Sequence, residues 1–151
     1  MEGTSSAVQL ARRAQRILEL GGLLKLLGAV AYVAYAFRSA PGEVRGYSVV
    51  AAMFLAVPIF LYGAYDLGAG FAVRRRMALG RALGLLSGAF GLLAFGGLGL
   101  MGLSSVVAFA IGRGPTGLVV AACLLAGIAG GVAANASLLS ALWKADAAFR
   151  G

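Results

Sequence analysis

Asp66, Lys25, Ser87 and Asn135 are polar side chains set inside long apolar runs, and Tyr62 stands one helical turn before Asp66. A carboxylate, an ammonium, a hydroxyl, an amide and a phenol could form a buried ion pair, hold a cation or relay protons. A charged group at mid-membrane costs about 2.5–3.5 kcal/mol on insertion scales, so Asp66 and Lys25 are expected to be paired or held neutral rather than left alone. Two structural arrangements follow. Either Lys25 pairs with Asp66, or Lys25 snorkels to the lipid headgroups and Asp66 faces the arginines at 74–81. Glu19 lies beside Arg16 near the edge of its run, where a surface ion pair is expected.

The remaining inventory is thin. There is no histidine, one cysteine and five carboxylates. Zinc and haem sites built on histidine are therefore excluded. No metal, cofactor or catalytic set is expected, and the chain reads as a non-enzyme. Cys123 lies within an apolar run and reads as a small buried filler.

The elements that must position these groups are four apolar segments at about 17–37, 47–73, 79–103 and 117–143. About 20 apolar residues cross the ~30 Å bilayer core as a helix. Hydrophobic residues make up 61% of the chain and charged ones 12%, against about 25% charged in soluble domains. The expected fold is all-α, an integral membrane four-helix bundle forming one membrane domain over residues 1–151. Lys25, Asp66, Ser87 and Asn135 each lie seven or eight residues from the same end of their spans. At 1.5 Å per residue that is roughly 10–12 Å, one polar layer.

The third run is too long for one straight span. It either tilts, or ends near position 103 with a short outer helix at 104–111 before the turn Gly112-Arg113-Gly114-Pro115. Pro58 predicts a kink in the second span. Residues 5–20 are amphipathic, with Val8, Leu10, Ala11, Ala14, Ile17 and Leu18 on one face and Arg12, Arg13 and Arg16 on the other. They form a short N-terminal amphipathic helix that either lies on the membrane surface or extends the first span. Ala34-Tyr35-Ala36 resembles a signal-peptidase site, but the polar part before it is long, so the first run is read as a true span.

Ten of the thirteen positive residues (12, 13, 16, 25, 74, 75, 76, 81, 144 and 150) fall on one side of a four-span topology, and Arg38, Arg45 and Arg113 on the other. The positive-inside rule places both termini in the cytoplasm and the protein in the cell membrane. Tyr32, Tyr35 and Tyr47 mark the outer aromatic belt, with Trp143 and Phe149 at the inner one. The net charge of +8 flanks apolar spans, so lipid and not nucleic acid is the expected partner. The excess of arginine over lysine, with abundant Gly and Ala, suggests a GC-rich bacterial genome.

Small residues recur every fourth position at Gly80, Gly84 and Gly88, at Ala64, Gly68 and Ala72, and at Gly127 and Gly131. Such faces let helix backbones approach closely in lipid. Internal packing is their expected use, with any surplus face serving a second copy or a membrane-protein partner. The functional expectation is an accessory or assembly subunit of a larger membrane complex. The alternative is an oligomeric transporter or channel component that uses the Asp66 layer.

Overall fold

Lipid offers no hydrogen bonds, so a chain this apolar must satisfy its backbone within itself. It does so with helices. A computed structural model describes residues 2–39, 42, 45–112 and 114–149, excluding the side chains of 2–4, 45, 98, 100–112 and 147. The elements are α1 (Glu2–Ser39), α2 (Arg45–Arg74), α3 (Ala78–Gly112), α4 (Gly114–Lys144) and a 3-10 turn, Asp146–Phe149. All four helices are long and apolar enough to cross a membrane. No strand occurs among the described residues.

The chain folds as two hairpins. α1 packs along α2, and α3 along α4, with lesser contacts joining α2 to α3 and α1 to α4. The main core lies at the end that carries both termini and the α2–α3 turn. It contains Ala11, Ala14 and Leu18 of α1, Ala69 and Val73 of α2, Leu138, Ala141 and Leu142 of α4, and Ala145 and Phe149 beyond it. Towards the other end, among the described residues, burial falls on small residues such as Ala29, Ala52, Ala56 and Ala121.

Several boundaries differ from those read in the sequence. The amphipathic residues 5–20 are the first turns of α1 and run into the span without a break. Their apolar face meets the bundle, with Ala7, Ala11, Ala14 and Leu18 all buried. α3 continues as one helix of 35 residues to Gly112, about 52 Å at 1.5 Å per residue. No separate outer helix begins at 104. Arg113 lies outside the described residues, and α4 starts at Gly114, with a φ of 60°, followed by Pro115 in the first turn, where its missing N–H costs nothing. Pro58 sits within an unbroken α2.

The α2–α3 turn is closed by backbone bonds. The Arg76 N–H donates to the Val73 carbonyl (2.9 Å) and the Met77 N–H to the Ala72 carbonyl (3.1 Å). This is a Schellman cap, whose residue beyond the helix end takes a left-handed conformation. Here that residue is Arg76, with a φ of 54°. Gly80 then lies against the backbone of Ala72 and Val73, where no Cβ would fit.

Two side chains sit differently from their expected places. Phe149 is buried in the core and does not belong to the interfacial belt, whereas Trp143 is 73% exposed. Cys123 faces outward on α4, because the interior stripe of that helix runs through Ala121, Asn135, Leu138 and Leu142.

Candidate functional site

α1 and α2 cross at two glycines. A Cβ on Gly22 would stand 2.7 Å from the Gly63 carbonyl oxygen, and one on Gly63 would stand 2.8 Å from the Gly22 carbonyl oxygen and 3.0 Å from the Lys25 Cβ. Missing side chains thus let the two backbones touch. Lys25 and Asp66 each stand three residues beyond one of these glycines, on the contact face. Lys25 turns inward and its Nζ pairs with Asp66 Oδ2; it does not snorkel. Asp66 is 2% exposed.

α3 supplies the second donor. Ser87 Oγ donates to Asp66 Oδ1, so each carboxylate oxygen has a partner. The Tyr62 hydroxyl donates to the Ser87 carbonyl oxygen (2.8 Å) and lies 3.3 Å from Ser87 Oγ. The Lys25 ammonium sits 4.0 Å from the centroid of the Tyr62 ring, close enough for a cation–π attraction. The ring is itself held edge-on to Phe90, with centroids 5.3 Å apart. One turn further along α2, the Tyr65 hydroxyl donates to the Leu83 carbonyl (2.9 Å).

Asn135 lines a cleft together with Lys25, Asp66 and Ser87 but makes a different contact. Its Nδ2 donates to the Gly131 carbonyl of its own helix (2.7 Å). The amide fills the space above Gly91, where any Cβ would collide with it. A cleft of about 260 Å³ opens between α1 and α4 and reaches Lys25, Asp66, Ser87 and Asn135. Among the described residues no buried side-chain nitrogen or oxygen lacks a partner.

The arginine turn does not reach Asp66. Arg81 instead pairs with Asp146 and donates from Nε to the Leu142 carbonyl (3.1 Å), tying the 3-10 turn to α3. Glu19 accepts a hydrogen bond from Gln15 Nε2 (2.9 Å) and makes no ion pair with Arg16.

The small-residue repeats divide. Gly84 packs on Leu142 and Leu18, Gly88 on Leu139, and Gly131 on Phe95. Ala64 and Gly68 face outward, and only Ala72 of their repeat is buried. No atom outside its own helix backbone would meet a Cβ on Gly68 or Gly127. The inward face of α2 is the one carrying Gly63, Asp66, Ala69, Gly70 and Val73. Sequence reading missed the Gly22–Gly63 crossing, the seat of Asn135 on Gly91 and the Arg81–Asp146 pair. A signal for the first was present, since a glycine stands three residues before each of the two charges set in the apolar runs.

The fold and this layer define a multi-pass helical membrane protein with a charge pair in its interior. No protein-family model, no curated protein and no solved structure matches the chain.

Proposed function

We propose that the chain is a small non-catalytic protein of the cell membrane, with both termini cytoplasmic, that serves as an accessory or assembly subunit of a larger membrane complex. The observation that carries this reading is the contrast between interior polar groups that satisfy one another and exterior small-residue faces that meet nothing. Inside, Lys25, Asp66, Ser87 and Tyr62 use their polar atoms on one another. A carboxylate neutralised in this way holds helices in register and is poorly placed to act as a base. Outside, Ala64 and Gly68 of α2 and Gly127 of α4 are exposed small residues, and a Cβ on either glycine would meet nothing. In lipid such faces gain most from close contact with another helix.

Purification in mild detergent from the native host, with Gly68→Leu in parallel, tests the reading. The expected result is a stoichiometric larger membrane partner that is lost from the variant, while the variant's own thermal stability is not lowered. Recovery of the chain alone, with or without the substitution, would sink it.

A second reading has one observation in its favour. The cleft between α1 and α4 reaches the ion pair from the side, as a transport or relay site in an oligomer would require. It calls for a homo-oligomer, and for an Asp66→Asn variant that assembles normally yet carries no ion or proton flux in reconstituted vesicles.

A further inference from the structure

We propose that the pocket between the start of α1 and the end of α2 is a binding site for a phosphate-bearing anion, filled by the headgroup of an anionic phospholipid. The pocket has a volume of about 400 Å³, and Arg12 and Arg16 of α1 converge on it with Arg74 and Arg76 of the α2–α3 turn. Gln15 adds an amide, and no carboxylate lines it.

Among the described residues the nearby carboxylates are bonded to other partners. Glu19, one turn along α1, accepts a bond from Gln15. Asp146, on the 3-10 turn, is held by Arg81. Arg75, next in the turn, is directed onto the Phe71 ring, 4.5 Å from its centroid. Among the described residues none of the four pocket arginines takes part in an ion pair. The positive-inside bias requires arginines on this side of the membrane, but it does not require two elements to aim them into one concavity. Arg12 and Arg16 stand four apart on one helix face, a spacing at which like charges repel. An anion placed between them and the turn converts that repulsion into attraction. Guanidinium groups match phosphate oxygens with paired, charge-assisted hydrogen bonds.

Depth selects the source. Arg16 and Arg12 precede Lys25 by nine and thirteen residues, roughly 13 and 20 Å along α1. Lys25 itself lies about 10–12 Å inside its span. The pocket therefore stands at the level of the phospholipid phosphates, beside lipid-facing helix, where basic pockets between membrane helices bind anionic headgroups. The proposal does not rest on the accessory role.

The test uses the full chain, delipidated in mild detergent. Three probes are titrated by native mass spectrometry and thermal shift: phosphatidylglycerol, phosphatidylcholine and inorganic pyrophosphate. The variants are Arg12→Gln/Arg16→Gln in the pocket and Arg13→Gln/Lys144→Gln, which removes the same charge elsewhere. The expected result is saturable binding of phosphatidylglycerol over phosphatidylcholine, weakened about tenfold or more in the pocket variant and retained in the control. If the pocket variant unfolds, Arg76→Gly, which relieves a left-handed backbone, supplies the same readout. Equal weakening by both double variants means diffuse surface charge and overturns the site. Saturation by pyrophosphate with no preference for phosphatidylglycerol overturns the lipid source.

Discussion

Gly22 and Gly63 touch backbone to backbone, each occupying the place where the other's side chain would begin. That contact sets the distance between α1 and α2 and so decides whether Lys25 can reach Asp66. Gly63→Ala should lower stability, because the new methyl meets a carbonyl and cannot move aside; overpacking of this kind costs about 1–3 kcal/mol. Gly68→Ala, on the same helix but with open space around it, should raise stability by about 0.5–1 kcal/mol through the backbone entropy of glycine. Thermal unfolding of the two variants in one detergent checks the opposite signs. Equal effects would show that the crossing is loose.

The Lys25–Asp66 pair predicts a compensating double variant. Asp66→Asn leaves the ammonium facing Tyr62 without its counter-ion. Removing one partner of a buried pair costs about 3–5 kcal/mol. The side chain of Lys25 keeps 19% exposure, so the lower end of that range is expected. Lys25→Gln added to Asp66→Asn should recover part of the loss, since no orphan charge then remains. The comparison is made by reversible unfolding of both single variants and the double. Simple additivity would mean that the two groups do not interact.

Arg76 occupies a backbone position that favours glycine. Arg76→Gly should stabilise the isolated protein by about 1 kcal/mol, the scale of the left-handed penalty for an L-residue. A rise in midpoint temperature is the expected reading. A fall would mean that the arginine side chain contributes more to folding than its backbone costs.

Two neighbouring aromatics should behave differently. Phe149→Ala empties a place in the core that also holds Ala11, Ala14 and Leu142, a change that typically costs about 3–5 kcal/mol. Trp143 is mostly exposed, and Trp143→Ala should leave the fold's stability within about 0.5 kcal/mol. Limited proteolysis at the C-terminus offers an independent check, with faster cleavage expected in the Phe149 variant alone.

Topology is tested by cysteine labelling at positions 43 and 78 in a Cys123→Ala background. Position 43 should react from outside intact cells and position 78 should not. Labelling at 78 from outside would reverse the orientation drawn from the arginine distribution.

The four long apolar helices were legible in the chain because they depend on local quantities. Runs of about 20 apolar residues must become helices in lipid, and Gly114 with Pro115 opens α4 through local backbone preferences. The shared depth of Lys25, Asp66, Ser87 and Asn135 follows from counting along each helix. Which face of each helix turns inward was decided by the tertiary structure. α2 carries Gly63, Ala64, Gly68, Ala69, Gly70 and Ala72, so small residues lie on several faces at once. Lipid is as apolar as a packed interior, and no contrast of hydrophobicity separates Gly63, which meets α1, from Gly68, which meets nothing. The same ambiguity governs Cys123, exposed on α4, and Phe149, buried beyond its end. Only the close fit of four particular helices, with Ser87 and Lys25 converging on Asp66 from two of them, selects the arrangement.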